Sequence, residues 1–225
     1  MSSSPARLGR HAWLAVASLA TLFLVPAASA EPVTHHFTGQ VTFRTTGGPT
    51  TLDLTSVFPL GTAAILDCTI ERSTPPSAQD FYTATYIDAV THLSFSIDTW
   101  GGSATPPSST TTVTNDQPSP LKGPQTLAAY DQYTAQISGL TALPLGDVQL
   151  VSLTYTFDDV QGTVFGSTDL PRVFPDMSTW EGKTLTVLVF SFTQGKSGYL
   201  MATMQNVSTP ALPSTWGALK GMYRN

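Results

Sequence analysis

Aromatic side chains near predicted loops are the first group in this chain that could bind a ligand. Trp100 follows a predicted strand, Trp180 ends a predicted helical turn over 176–180 with Asp176 as its N-cap, and Tyr82 and Tyr86 lie in a short extended segment. Aromatic rings in loops can stack on the faces of sugar rings. These four residues are therefore the predicted ligand-binding residues, with polysaccharide as the expected ligand. The alternative interpretation is that the rings close the open ends of the fold.

Carboxylates and amides at strand ends form the second group. Asp158, Asp159, Asn115 and Asp116 offer hard oxygen atoms, of which a Ca²⁺ ion takes six or more. They are the predicted metal ligands, for a structural calcium ion and no other cofactor. A glycosidase would instead need two carboxyl groups about 5–10 Å apart across a cleft. Because the chain has no Asp-x-Asp-x-Asp-Gly loop, the competing interpretation is that these side chains only cap turns.

Nucleophilic catalysis has little support in the sequence. A Ser/His/acid site needs its three groups within hydrogen-bond reach, and no Gly-x-Ser-x-Gly turn is present. His92 and Asp98 share a predicted strand face but are separated by about 20 Å of extended chain. A hydrolase or lyase would require His92, Asp158 and Asp159 to converge in one cleft.

Cys68 is the single cysteine, so the chain cannot form an intrachain disulfide. Leu66, Cys68 and Ile70 alternate with polar residues, which predicts a buried free thiol that packs as a small apolar group. A nucleophilic thiol needs a basic neighbour, and the local sequence has none on that face.

The elements that must position these groups are strands. Polar and apolar residues alternate with period two in most segments, and Gly- and Pro-bearing loops separate them. Val151 is assigned to the core face of its strand and Phe43 to the same face as Phe37. Predicted strands cover 33–44, 63–72, 81–86, 90–98, 110–114 (at a sheet edge), 130–138, 148–157, 163–165 and the hairpin 183–207.

The hairpin 183–207 carries the densest apolar surface after residue 30, and the other strands must cover it. Both of its faces are apolar for several residues after Leu185, which predicts a strand covered on both sides. The chain is therefore predicted to be all-β, an antiparallel β-sandwich or jelly roll of about 8–10 strands. A closed barrel is the alternative.

The first thirty residues have the organisation of a secretory signal peptide. A basic start containing Arg7 and Arg10 precedes an apolar stretch over 12–25 and the small residues Ala28-Ser29-Ala30. The stretch is short for a membrane span and fits a cleaved signal. The sequence predicts a signal peptide over 1–30, a β-sandwich domain over 31–209 and a C-terminal tail over 210–225, in a secreted protein without a transmembrane anchor.

Charge excludes some classes of partner. Without residues 1–30 the chain keeps eight of its ten basic residues and all fifteen acidic ones, a net charge of −7. Phosphate contacts need clustered Lys and Arg, so nucleic acid is not an expected partner, and neither is an anionic membrane surface. Only 11 % of residues are charged, which is typical of strand-rich extracellular proteins.

A series of short motifs runs along the predicted domain. They are Phe37-Thr38-Gly39-Gln40-Val41-Thr42, Leu60-Gly61-Thr62, Thr112-Val113-Thr114-Asn115-Asp116, Asp131-Gln132-Tyr133, Asp169-Leu170-Pro171 and Pro175-Asp176-Met177-Ser178-Thr179-Trp180. Over about residues 37–208 the chain thereby resembles exported bacterial proteins of the PEP-CTERM type. The resemblance implies a β-sandwich sorted to the envelope or into extracellular polysaccharide.

Two features depart from that resemblance. Gly61-Thr62 stands where the family has Gly-Asp, and the nine residues after Trp216 cannot form the apolar sorting helix. A released protein, or one whose tail has been lost, is therefore expected. Three functions follow as hypotheses: a non-catalytic envelope or matrix protein that binds polysaccharide, an extracellular polysaccharide hydrolase or lyase, and a purely structural surface domain.

Overall fold

The computed structural model describes residues 32–118, 129–142 and 146–208. The predicted signal peptide over 1–30 and the tail over 210–225 lie outside these residues, and within these ranges no helix is long and apolar enough to cross a membrane. One turn of 3-10 helix, Met177–Thr179, accompanies the strands. The strands are β1 (Pro32–Arg44), β2 (Ala63–Glu71), β3 (Ala78–Gln79), β4 (Thr83–Ile87), β5 (Val90–Ile97), β6 (Trp100–Ala104), β7 (Ser108–Thr114), β8 (Asp131–Ser138), β9 (Thr141–Ala142), β10 (Val148–Asp159), β11 (Gly182–Ser191) and β12 (Lys196–Ser208).

The prediction of an all-β antiparallel fold is confirmed. The twelve strands form one curled sheet in the order β3-β4-β7-β8-β10-β11-β12-β1-β2-β5-β6-β9, and ten of them exceed two residues. The curl brings the inner faces of β2 and β10 together, where the Cys68 Sγ lies 3.1 Å from the Tyr155 hydroxyl. Across the described chain the order begins at β3 and ends at β9, so the fold is sandwich-like, with open edges.

The interior is formed by the inward-facing residues, which alternate with outward-facing ones along each strand. Leu185, Val187 and Val189 on β11 are fully buried, and such side chains each contribute about 1.5–3 kcal/mol to stability. The prediction that this hairpin is covered on both sides is wrong. Its outer residues are half-buried or exposed, and Phe192 is 64 % exposed, because the described strands form one sheet and none of them packs on that side.

Two residues predicted to face the core point outward instead. Phe43 is 45 % exposed and Val151 is 47 % exposed. The pairing of β1 with β12 shifts between Val41 and Phe43, and the pairing of β10 with β11 shifts between Leu150 and Ser152. An extra residue in one strand reverses the faces of the residues beyond it, and period-two alternation does not reveal it.

The predicted edge strand is interior. β7 pairs with β4 on one side and with β8 on the other. Trp100 does not end a strand, as predicted, but begins β6, because Asp98 at φ 54° turns the chain directly back along β5. Gly101 permits this pairing, since a Cβ there would lie 2.3 Å from the Phe95 carbonyl oxygen.

The predicted strand over 163–165 is absent from the described residues. The backbone N–H groups of Val164 and Phe165 donate to the Asp131 carboxylate, so a side chain replaces the strand partner. The predicted helical turn is confirmed: Asp176 caps the 3-10 helix and accepts a hydrogen bond from the Ser178 N–H at 2.7 Å.

Candidate functional site

Trp100 and Trp180, two of the predicted ligand-binding residues, are buried. Trp100 is 4 % exposed, and its ring centroid lies 5.4 Å from Phe58 and 5.3 Å from Phe95. Trp180 is 2 % exposed and stacks on Phe174 at 5.7 Å. Because other rings cover both indoles, they pack as core residues and neither presents an open face to solvent.

Tyr86 and Tyr82, the other two, differ from each other. Tyr86 on β4 is buried, and its hydroxyl donates to the Thr168 carbonyl oxygen at 3.0 Å. Burial, together with the charge of Asp169, raises the pKa of Tyr86. Tyr82 is half-buried and lies edge-on to Phe81, which is 86 % exposed. Tyr82 is therefore the member of the predicted aromatic set that reaches the surface.

Asp158, a predicted metal ligand, faces outward near the end of β10. Its Oδ1 accepts hydrogen bonds from the Tyr130 hydroxyl at 3.1 Å and from Gln132 Nε2 at 2.7 Å. Burial and the charge of Asp158 raise the pKa of Tyr130 to about 12. The phenol therefore remains a donor at neutral pH, and the carboxylate is held by side chains of its own sheet.

Asp159, the next predicted ligand, faces inward and is 1 % exposed. It accepts hydrogen bonds from the backbone N–H groups of Gln161 at 2.8 Å and Thr163 at 2.6 Å. Burial opposes the ionisation of Asp159, but these hydrogen bonds outweigh it and hold its pKa below the usual value. Its role in the structure is to hold the turn after β10.

Asp131 lies opposite Asp159 and was not among the predicted site residues. It is fully buried and accepts the backbone N–H groups of Asp116, Val164 and Phe165 at 2.8, 2.9 and 2.8 Å. Backbone donors at both oxygens satisfy this buried carboxylate. The signal for this role was present in the sequence, because a carboxylate on an inward strand face must find partners.

Asn115 and Asp116, the remaining predicted metal ligands, lie just after β7. The Asn115 Nδ2 donates to the Asp116 carboxylate at 3.3 Å. In the ranges that the structure describes, no group of three or more His, Cys, Asp or Glu side chains is placed to hold a metal ion. Structural calcium therefore stays a prediction.

His92, Asp158 and Asp159, which the hydrolase hypothesis requires together, lie on separate elements. His92 lies on β5, and its Nδ1 is 2.6 Å from the Thr105 Oγ1. β5 is five places from β10 in the sheet order. His92 faces outward beside Thr69, whereas Asp159 faces the interior from the end of β10, so the three side chains do not share one cleft.

A second polar set, His36, Asp67 and Ser94, lies side by side on the outer face of β1, β2 and β5. The His36 Nδ1 is 2.6 Å from the Asp67 Oδ1, and the Ser94 hydroxyl donates to the Asp67 Oδ2 at 3.3 Å. In a Ser/His/acid site the imidazole lies between the hydroxyl and the acid. Here the acid is in the middle, so the imidazole is not placed to take the Ser94 proton.

The prediction that Cys68 is buried is confirmed, and the structure adds a neighbour that the sequence did not reveal. His35 lies directly opposite Cys68 across β1 and β2, and both are fully buried. Burial raises the pKa of Cys68 to about 12 and lowers that of His35 to about 4. Both groups are therefore neutral at neutral pH, which leaves the pair without a thiolate.

The outward side of β4, β7, β8, β10, β11 and β12 carries a row of six threonines. Each lies directly opposite the next across neighbouring strands, and all six are half-buried. Neighbouring strands are about 4.8 Å apart, so the hydroxyls repeat at that spacing. This threonine row consists of Thr85, Thr112, Thr134, Thr156, Thr184 and Thr203.

A second outward row runs beside the first, displaced by two residues on each strand toward the same end of the sheet. Its polar members are Thr110, Gln136, Thr154 and Thr186, paired in that order. It continues through Met201 on β12 to Phe43 on β1. The Phe43 ring stacks on Tyr199 with centroids 5.4 Å apart and planes 24° apart, and the two are 45 % and 40 % exposed. Phe43 and Tyr199 form the aromatic pair.

The outward side of these six strands, here called the threonine face, is nearly free of charge. Of its outward-facing residues, all within the described chain, only Asp158 is charged. Lys183 and Lys196 donate instead to the backbone carbonyl oxygens of Met177 at 2.6 Å and Gly48 at 2.9 Å. Low charge together with exposed aromatic rings is also the composition at the centre of protein–protein interfaces, which makes this face a candidate binding surface.

Sequence reasoning did not find the threonine face. Its trace in the sequence is threonine at alternate positions, as in Thr83-x-Thr85, Thr154-x-Thr156 and Thr184-x-Thr186. Threonine also favours strands for its shape alone. The alignment into one row becomes visible only with the pairing of distant segments.

Comparison of the chain with protein-family models, with curated proteins and with solved structures gives no match. A functional assignment therefore depends on the surfaces described above. Among them, the threonine face combines breadth, hydroxyl groups and exposed rings.

Proposed function

We propose that this protein is an exported, non-catalytic β-sandwich protein of the bacterial envelope or extracellular matrix that binds polysaccharide through the threonine face. The observation that carries the proposal is the outer surface of six strands, on which Asp158 is, within the described chain, the one charged residue, with exposed rings at one end. Threonine hydroxyls and glutamine amides can both donate and accept hydrogen bonds, which suits a ligand made of hydroxyl groups. The aromatic pair supplies an apolar surface for a sugar ring.

Export is the second part of the proposal. It is supported by the basic, apolar and small-residue segments within 1–30 and by the resemblance of 37–208 to exported proteins. The low charge content agrees with an extracellular setting.

The two other hypotheses have less support. A hydrolase needs converging acid and base groups, whereas His92 lies apart from Asp158 and Asp159. A structural domain whose partners pair with a sheet edge needs a long free edge, whereas the terminal strands β3 and β9 have two residues each. Short edge strands are a means by which proteins prevent such pairing.

Affinity electrophoresis through gels that contain individual polysaccharides tests the proposal. We expect at least one neutral polysaccharide to retard the purified protein. T134K places a charge at the centre of the threonine face. It should weaken the affinity for the polysaccharide about tenfold or more, because burying an unpaired ammonium group costs more than the roughly 1.4 kcal/mol that a tenfold change in Kd represents.

The matched control is T69K. Thr69 is also a half-buried, outward threonine in the middle of a strand, but on β2, outside the threonine face. It should bind as the wild type does. Absence of retardation across a broad panel of glucans, mannans, galactans and xylans would refute polysaccharide binding, and equal losses in T69K and T134K would refute the assignment to this face.

A further inference from the structure

We infer that the threonine face takes a single, neutral glycan chain that runs across the strands over the threonine row and the second row beside it, and ends on the aromatic pair. This inference rests on the proposed function and goes beyond it by specifying the charge, direction and length of the ligand. It depends on the pairing of the strands and on the positions of the charged side chains.

Neutrality follows from what the face lacks. An acidic polymer needs Lys or Arg partners, and the basic side chains of β11 and β12 are engaged with backbone carbonyls away from the face. The one charged group on the face, Asp158, is negative and would repel a uronate or sulfate. A neutral chain meets neither obstacle.

Direction follows from the spacing of the hydroxyls. Across the strands, the threonine row offers a hydroxyl at every strand, about 4.8 Å from the next. The parallel row through Thr110, Gln136, Thr154 and Thr186 gives a second line of polar groups about 7 Å away. Along a single strand the outward polar series is shorter, and on β11 it changes to Leu188 and Phe190. The continuous track therefore runs across the sheet.

The length of the track follows from the number of strands. Six strands give five inter-strand steps, so the row from Thr85 to Thr203 spans roughly 24 Å. Affinity should rise with ligand length until the chain covers this distance and then level off, because each added sugar meets another pair of polar groups.

Sheet twist selects a single chain over a solid surface. Neighbouring strands rotate by about 20–25°, so the row turns by roughly 100° or more between its ends. A flexible chain can follow such a path, whereas a flat crystalline plane would touch only a few strands. Soluble glycan chains should therefore bind better than insoluble crystalline particles of the same polymer.

The aromatic pair defines one end of the track. The second row passes from Thr186 to Met201 and then to Phe43, and the Phe43 and Tyr199 rings are each about half exposed. A sugar ring at this end can stack, while the rest of the chain is held by hydroxyl and amide groups. Short oligosaccharides should thus depend mainly on the rings, and long ones on both features.

The test uses the neutral polysaccharide that most retards the protein, cut into an oligosaccharide size series, with calorimetry on the wild type and three variants. T134V/T156V removes two hydroxyls of the row and keeps β-branched shape. It should weaken binding of oligosaccharides that span the track about tenfold or more, since each hydrogen bond is worth about 0.5–1.5 kcal/mol. Y199A should weaken binding of every length, and T69V on β2 should change nothing.

Each other outcome has a defined meaning. If no glycan binds, the proposed function itself is refuted. If glycans bind but T134V/T156V equals the wild type at all lengths, or if affinity is independent of length, the proposed function stands and the track is refuted. Stronger binding of alginate or pectate refutes neutrality. Sedimentation that shows a dimer dissociated by T134K but insensitive to glycan assigns the face to a second copy of this chain and overturns the inference.

Discussion

His35 should make the stability of this protein fall between pH 6.5 and pH 4. It faces inward on β1, packs against Phe37 and Phe174 with centroids 6.1 and 5.5 Å away, and is fully buried. Burial lowers the pKa of His35 from 6.5 to about 4, and a hydrogen bond with the backbone of Pro171 offsets part of that effect. Between pH 4 and pH 6.5, therefore, His35 binds a proton in the unfolded chain but not in the folded protein.

The sign and size follow from the two pKa values. Above pH 6.5, His35 is neutral in both states and has no effect on the pH dependence. As the pH falls below 6.5 the unfolded chain binds a proton and the folded state does not, so the free energy of unfolding decreases. At pH 4.5 the loss amounts to about 2–3 kcal/mol, and below about pH 4 it stops growing because the folded state then also binds the proton.

Urea unfolding at pH 7.5 and pH 4.5 measures the effect. For the wild type, we expect the free energy of unfolding to drop by about 2–3 kcal/mol more than for H35Q over this interval. The comparison cancels contributions from other groups. Carboxylates such as Asp176, whose pKa the Ser178 hydrogen bonds hold below 3.8, lose their contribution only at lower pH.

The control variant is H92Q, which replaces a half-buried histidine beside Thr105 and leaves His35 in place. It should retain the wild-type drop. Equal pH dependence in H35Q and the wild type would refute the reasoning, because it would mean that His35 binds its proton equally well in both states.

Three further predictions concern the fold. D131N puts an amide donor against backbone N–H groups and should lower the free energy of unfolding by about 3 kcal/mol, against less than about 0.5 kcal/mol for the exposed D116N, as measured by urea unfolding. G101A should cost about 1–3 kcal/mol, since its Cβ would lie 2.3 Å from a carbonyl oxygen, whereas G166A, with nothing within 4 Å, should be near neutral in the same assay; equal effects would contradict the close approach. The single thiol, Cys68, should fail to react with Ellman's reagent at pH 8 in the native protein and react fully in urea, because burial raises its pKa to about 12; rapid native reaction would contradict its burial.

The strands were predictable because alternation is a local signal. Apolar residues such as Leu66, Ile137 and Leu185 alternate with polar residues, which predicts that they face inward, and all three are buried. Phe43 and Val151 were assigned to the wrong face because Phe43 follows an extra, unpaired residue and Val151 is itself one, and the position of such a residue depends on the partner strand. The sequence of one strand carries no record of that partner.

The surface site was harder to predict than the core. Trp100 and Trp180 looked available because their segments are loop-like, yet Phe58 covers Trp100 and Phe157 of β10 packs on Trp180. The threonine row likewise depends on five strand pairings, two of which, β4 with β7 and β8 with β10, join strands that are not consecutive in the chain. Long-range pairing decides which side chains are exposed together, and the order of residues alone does not specify it.

The most direct measurement of the central claim is a backbone amide NMR titration with a soluble neutral glycan that the protein binds. The threonine face predicts chemical-shift changes that follow the row across β4, β7, β8, β10, β11 and β12 and reach the aromatic pair. Changes confined to the outer face of β1, β2 and β5, where His36 and Asp67 lie, or to the neighbourhood of Tyr82, would contradict the account.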